Sequence, residues 1–237
     1  MQRGEFLYEG KAKRIYATED PGIFWMEFKD DATAGNGAKR GTIGDKGRIN
    51  AEITTRVYEY LAASGVKTHF VRAESPTVLI VKKLSMFPLE VVVRNIAAGS
   101  LVKRFGLPEG KEMADPIVEL YLKNDELGDP LLNDDHIVAL GLATTTEIAA
   151  LKAAARRVNE LLRPYFLKLG ILLVDFKLEF GRENGEIVLG DEVTPDTCRF
   201  WDAKTREKLD KDRFRQDLGG VEEAYQEVLR RVEQSDA

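Results

Sequence analysis

Ile49, Ile53, Val57 and Leu61 recur every four residues and predict a helix over about 45–64, with Gly65 as its stop. Short apolar runs before it predict strands at 6–10, 11–16 and 23–28, followed by a Gly-rich, polar stretch over 34–47. Strands return at 69–72, 77–82 and 89–94. A long helix opens at Thr144, where Glu147 stands three residues on in capping-box spacing. Ile148, Leu151, Ala155, Val158, Leu162 and Phe166 supply its buried side. Pro164 is expected to kink it and Gly170 to end it. Strands at 172–180 and 186–193, joined across 182–185, read as a β-hairpin, and Val221, Tyr225, Val228 and Val232 mark a last amphipathic helix. The order predicts an α+β fold with two lobes: a β-rich lobe with one long helix over 1–86, and a mixed lobe over 87–237. The boundary is expected near Ser85 to Pro88.

Composition narrows the chemistry. Of 237 residues, 35 are Lys or Arg and 40 are Asp or Glu, a formal charge of -5, which argues against a broad nucleic-acid surface. The one cysteine, Cys198, excludes an intrachain disulfide framework and suits a reducing cytoplasm. No signal peptide opens the chain, and the longest apolar run, near 171–174, is far too short for a membrane span. His69, His136 and Cys198 are too few for a usual His/Cys zinc site, so a metal here is expected to be a hard ion on carboxylates, Mg²⁺ above all.

The hairpin carries Glu179 and Asp191 on its two arms. A two-residue Asn184-Gly185 loop pairs Glu179 with Gly190 and turns Asp191 to the other side. A three-residue loop pairs Lys177 with Asp191 and puts Glu179 on that same face. The second register is favoured, because Asp175, Lys177 and Glu179 then share the face with Asp191 and both carboxylates can hold one metal. The competing reading is a wet, polar hairpin face. Against it, Leu172 to Val174 is apolar without alternation, and Asp175 then stands at the edge of a core, where a carboxylate needs a partner.

Other segments carry weaker signals, each with a plain alternative. Tyr8-Glu-Gly-Lys-Ala-Lys-Arg14 is a glycine turn whose lysines suit phosphates, or a basic hairpin tip. One of Lys82 and Lys83 points inward if alternation holds, or discourages edge pairing. Ser100 is a good N-cap for a short helix, and with Arg94 nearby that helix start suits an anion. Lys211 and Arg215 lie one helical turn apart, on an anion or on a solvated face balanced by Asp210, Asp212 and Asp217. The loop after the hairpin can present Asp196 and Arg199 to a ligand. Cys198 reads as structural.

Pro88-Leu-Glu-Val-Val-Val-Arg-Asn-Ile-Ala-Ala-Gly-Ser100 resembles one signature of the phosphoribosylaminoimidazole-succinocarboxamide (SAICAR) synthases, and Leu173-Val-Asp-Phe-Lys-Leu-Glu-Phe-Gly181 resembles another. Glu9-Gly-Lys-Ala-Lys13, Leu189-Gly-Asp-Glu-Val193, Thr194-Pro-Asp196 and Asp210-Lys-Asp-Arg-Phe-Arg215 extend the resemblance over nearly the whole chain. The length suits the stand-alone bacterial form. The resemblance implies a fold related to protein kinases and ATP-grasp enzymes, with ATP in the inter-lobe cleft. It implies a ligase that condenses 5-amino-1-(5-phosphoribosyl)imidazole-4-carboxylate (CAIR) with L-aspartate in purine biosynthesis, through an acyl phosphate, giving SAICAR, ADP and phosphate. The rival is a small-molecule kinase using the same cleft.

By the same resemblance, Gly10, Lys11, Ala12 and Lys13 form a phosphate flap. Lys82 and Lys123 reach the nucleotide, and the backbone near Met86 meets adenine. Glu179 and Asp191 ligate Mg²⁺. Arg94, Ser100, Arg199 and Arg215 hold the ribotide, mainly by its phosphate, and Asp196 contacts its sugar or base. Asp175 and Lys177 stand at the reacting carboxylate, with Asp175 as the base for the amine. A cytoplasmic homodimer is implied, though no interface stripe is visible. Asn36 stands where some relatives carry Asp, and no residue is assigned to the aspartate pocket.

Overall fold

The computed structural model describes residues 1–34 and 39–234, so Asn36 lies outside the described residues. Strands β1 (Phe6–Glu9), β2 (Lys13–Ala17) and β3 (Ile23–Phe28) form an antiparallel meander. At the start of the stretch read as polar and Gly-rich, β4 (Asp31–Ala34) and β5 (Lys39–Thr42) pair as a separate ribbon. Helix α1 (Lys46–Ala63) follows the predicted span. Its stripe of Ile49, Ile53, Val57 and Leu61 is fully buried. Asp45, at its start, has left-handed backbone and gives no side-chain cap. Asp30 supplies one instead, its Oδ1 accepting from the Gly47 N–H at 2.8 Å. Strands β6 (Phe70–Ser75) and β7 (Val78–Lys82) complete a five-stranded sheet in the order β1-β2-β3-β7-β6.

The chain passes to a second sheet directly after Lys82. Strand β8 (Ser85–Ile96) buries Leu89, Val91 and Val93 and turns Glu90 and Arg94 to the opposite face, as strand alternation requires. Helix α2 (Gly99–Phe105) starts one residue earlier than Ser100 allows a cap: Ala98 is its N-cap, so the expected capping role of Ser100 is corrected. Next come β9 (Glu112–Leu122), β10 (Leu131–Leu132) and α3 (Asp134–Ala139). Helix α4 (Thr145–Lys168) has the predicted capping box, with the Glu147 N–H donating to Thr144 Oγ1 at 3.2 Å and the Thr144 N–H to Glu147 Oε2 at 2.8 Å. It runs unbroken through Pro164 and ends at Leu169, ahead of a left-handed Gly170.

Strands β11 (Ile171–Glu183) and β12 (Glu186–Gly190) form the predicted hairpin, but in the other register. Glu183 pairs with Glu186 and Glu179 with Gly190. Asn184 and Gly185 both have positive φ, 51° and 81°. That is the two-residue turn whose twist matches antiparallel strands, and it wins over the three-residue loop. Strand β13 (Cys198–Asp202) pairs with the first half of β11. The second sheet thus runs β10-β9-β8-β11-β12, with β13 beside β11. Helices α5 (Asp212–Arg215) and α6 (Val221–Glu233) close the chain. Lys211 caps α5 with helical backbone and its carbonyl accepts from the Arg215 N–H at 3.0 Å, so the two lie one helical turn apart as expected, but Asp210, Lys211 and Asp212 are buried, so the solvated-face alternative does not describe this segment.

Among the described residues no helix is long and apolar enough to cross a membrane. The largest apolar cluster joins the α1 stripe to Leu89, Val91 and Val93 of β8, to Leu151, Val158 and Leu162 of α4, and to Tyr225, Val228 and Val232 of α6.

Candidate active site

Strand β11 is the spine of the site. Asp175, Lys177 and Glu179 alternate with buried Phe176 and Leu178, so the three polar groups share one face. At about 3.3 Å per residue they span roughly 13 Å. The neighbours in register extend that face. Arg94 of β8 lies opposite Asp175 and Glu90 opposite Glu179, and Arg199 of β13 pairs with Asp175 on the other side.

At the Asp175 end, charges alternate in a continuous run. Arg94 donates to Glu119 Oε2 at 2.6 Å, to Asp175 Oδ2 at 2.9 Å and to Ser100 Oγ at 2.9 Å. Arg199 donates to Asp175 Oδ2 at 2.8 Å and to Asp212 Oδ2 at 2.7 Å. Arg215 donates to Asp212 Oδ1 at 2.6 Å. Arg94, Ser100, Arg199 and Arg215 are thereby brought together, and the glycine between strand and helix is part of the fit. Gly99 has φ +54°, and a Cβ there would lie 2.5 Å from Arg199 Nη2. Both oxygens of Asp175 accept from guanidinium groups, Oδ1 from Arg199 and Oδ2 from Arg94 and Arg199. Its contacts make it the brace between Arg94 and Arg199.

At the other end, carboxylates converge on an ammonium. Lys177 Nζ lies 2.7 Å from Glu179 Oε1, 3.2 Å from Glu90 Oε1 and 3.4 Å from Asp191 Oδ2. Lys123 pairs with Glu179 Oε2 at 2.5 Å, and Lys13 with Asp191. The observed register should have turned Asp191 away from Glu179. It does not, because β12 ends at Gly190 and Asp191 takes φ 57°. Left-handed backbone costs an L-residue about 1–2 kcal/mol, and here it returns the carboxylate to the shared face. Burial pushes Asp191 up, but Lys13 and Lys177 outweigh it and hold the carboxyl well below its usual range. Burial pulls Lys13 and Lys177 down, and the facing carboxylates hold both above the ordinary lysine value. Burial also raises Glu90.

Among the described residues, no three His, Cys, Asp or Glu side chains gather closely enough to cage a metal. Two hard carboxylates that already share one cation do fit Mg²⁺, which is commonly held by one or two carboxylates together with substrate phosphates.

Beside this centre opens a cavity lined from both sheets. Ile15, Phe24, Met26, Val81, Leu84 and Met86 form apolar walls, and Tyr8, Gly10, Lys13, Lys82, Lys123, Glu179 and Asp191 form its polar side. An apolar slot ending in lysines and carboxylates suits a flat base carrying phosphates. Gly181 keeps the slot open: a Cβ there would meet Leu84 Cβ at 2.5 Å. Lys82 points to Glu183 at 3.0 Å along its rim. Lys83 instead sits over the Phe24 ring. Lys11 does not join Lys13. It pairs with Asp125 at 2.5 Å, outside the slot, and Ala12 between them offers its carbonyl to the Lys29 N–H.

Asp196 is also placed apart. Its buried carboxylate accepts from Lys46 at 2.5 Å, Asn50 at 3.1 Å and Tyr225 at 2.7 Å, with Lys211 at 3.6 Å. Both of its oxygens are engaged by these neighbours. Burial pushes it up, but Lys46 and Lys211 hold it well below the carboxylate range. Glu90, Glu119, Tyr121 and Lys46 were not anticipated, and Asp212, read as balancing charge on a solvated face, is buried between Arg199 and Arg215. Alternation along β8 did carry a signal for Glu90, four residues from Arg94.

A family model described as SAICAR synthetase matches residues 6–232. The phosphoribosylaminoimidazole-succinocarboxamide synthase of Chlorobaculum tepidum is 58% identical over 98% of this chain and 99% of its own length. The synthase of Desulfitobacterium hafniense is 54% identical over 99% and 98%. Among solved structures, a SAICAR synthetase in complex with ADP superposes with a TM-score of 0.93 at 53% identity, covering 96% of this chain and 97% of that one. SAICAR synthetase from Pyrococcus horikoshii superposes with a TM-score of 0.90 at 52% identity, over 94% and 98% of the two chains.

Proposed function

The chain belongs to the SAICAR synthetase family, and from that premise we propose how its residues divide the reaction between them. It is a ligase of purine biosynthesis that joins CAIR to L-aspartate. The observation that carries the assignment of roles is the single face of β11, with Asp175 among arginines at one end and Glu179 among lysines at the other.

ATP lies in the cleft between the sheets, in the manner of protein kinases and ATP-grasp enzymes. Its base enters the slot of Ile15, Met26, Val81 and Leu84, next to Met86, and its phosphates meet Lys13 and Lys123. Lys82 approaches from the rim. Lys11 and Ala12 close the flap once Lys11 leaves Asp125. The ADP carried by a related structure supports this reading. Glu179 and Asp191 would hold Mg²⁺, with Glu90 in reserve. When bound, that ion neutralises charge on the transferring phosphoryl group.

Arg94, Ser100, Arg199 and Arg215 bind the ribotide phosphate, a bidentate role that guanidinium groups suit. The length of the face then sets the other end of the ribotide, its carboxylate, beside Lys177. The carboxylate oxygen attacks the γ-phosphorus, ADP leaves, and an acyl phosphate forms. The amine of aspartate attacks the acyl carbon, and phosphate departs carrying the proton that the amine loses. Lys177 steadies the oxygen anions in both steps. The compartment is the cytoplasm, where a buried Cys198 stays reduced.

The test is phosphate release by the purified protein. Release is expected only with ATP, CAIR and aspartate together. A phosphorylated product formed equally well without aspartate would favour the kinase instead. A second expectation follows from Gly99. Gly99→Ala places a Cβ against Arg199 on backbone that L-residues resist, so the KM for CAIR should rise by roughly tenfold while that for ATP stays put. An unchanged KM for CAIR would remove Arg199 from the ribotide site.

A further inference from the structure

We propose that Tyr58 and His69 are positioning residues of the metal centre, which clamp the backbone at Gly190 and Asp191 and so aim the Asp191 carboxylate at Glu179. The proposal rests on the reading of Asp191 as a metal ligand.

The turn at Asp191 needs outside support. Strand β12 stops at Gly190, so the ladder with β11 no longer covers Asp191, whose carbonyl needs another partner. Two side chains and one backbone amide grip this end of the strand. The Tyr58 hydroxyl donates to the Gly190 carbonyl at 2.5 Å. His69 Nε2 lies 3.1 Å from the Asp191 carbonyl. That oxygen can only accept, so Nε2 carries the proton. The His69 N–H donates to the Leu189 carbonyl at 2.8 Å. Three successive carbonyls, 189 to 191, are thus gripped by two residues.

The two gripping side chains are themselves fixed. Tyr58 lies on the buried face of α1, and its ring meets the His69 ring edge to face at 5.8 Å. The His69 carbonyl accepts from the Lys82 N–H at 2.7 Å, which anchors it to the first sheet. The hydrogen bonds of both side chains run to backbone carbonyls, although His69 also lines the slot beside Asp191 and Glu179. Each acts through the main chain, on the one residue whose left-handed φ decides where a carboxylate points. Outer partners of this kind orient metal ligands.

The experiment is a Mg²⁺ titration of the full-length enzyme and of Tyr58→Phe, His69→Leu and His69→Gln, read both as binding to the ADP-loaded protein by calorimetry and as turnover with all three substrates saturating. Tyr58→Phe and His69→Leu should each raise the half-saturating Mg²⁺ by about tenfold, the lower end of what outer partners contribute. The KM for CAIR should stay within about twofold, because the arginine run is untouched. His69→Gln, which keeps an N–H at the tip, should recover most of the loss. An unchanged Mg²⁺ requirement in Tyr58→Phe, which loses one hydroxyl and keeps the ring, overturns the proposal even if His69→Leu fails to fold. So does a Mg²⁺ shift in His69→Gln as large as in His69→Leu. Asp191→Asn, titrated alongside, separates the two claims. If that variant responds to Mg²⁺ like the parent, the metal-ligand reading fails. If only the clamp variants are silent, the clamp alone fails.

Discussion

Asp191→Asn should lower kcat by about a thousandfold or more while the protein stays folded. Lewis-acid stabilisation is worth several kcal/mol, and each 1.36 kcal/mol is a factor of ten. The neighbouring groups explain why the fold should survive. Lys13 keeps Glu192 at 3.2 Å, and Lys177 keeps Glu179 and Glu90. No buried ammonium is stranded, so the stability loss should be about 1–3 kcal/mol, that of a weakened hydrogen-bond set. Phosphate release measures the first quantity and a thermal melt the second. Turnover within tenfold of the parent would refute the assignment of Asp191.

Arg94→Ala should act on two quantities at once. The guanidinium holds Glu119, Asp175, Ser100 and Tyr121, and the residue is only 3% exposed. Its loss should raise the KM for CAIR by about a hundredfold, the size of a charge-assisted bidentate contact. It should also destabilise the fold by about 3–5 kcal/mol, because buried carboxylates lose a partner. For a chain of this size that is a fall in Tm on the order of 10 °C. Arg94→Lys keeps the charge but not the fork, and should fall between the two. A normal KM for CAIR in a folded variant would exclude Arg94 from the ribotide site. A normal Tm would mean that Asp175 and Glu119 do not depend on it.

What could be read from the sequence was periodic. Helix α1 was legible from its apolar stripe and its Gly65 stop, and α4 from its stripe and capping box. The β11–β12 hairpin was legible as an element but not in register. Register depended on whether Asn184 adopts positive φ, a choice the Asn-Gly pair favours without forcing. The convergence of Glu179 and Asp191 was anticipated on the wrong grounds. Alternation was expected to bring them together, yet a left-handed residue past the strand end does so. Strand β9 escaped notice although Val118, Leu120 and Leu122 alternate with Glu119 and Tyr121, and with it went those two as partners of Arg94. The placement of Lys46, buried at a helix start against Asp196, is a tertiary fact with no local signature.

Helix α1 belongs by sequence to the first half of the chain, yet its stripe lies in one apolar mass with β8, α4 and α6. A fragment cut at the junction between the sheets would carry Ile49, Ile53, Val57 and Leu61 with their cover torn away. The cavity lined from both sheets is therefore a seam, and neither half carries the whole of its own apolar cover.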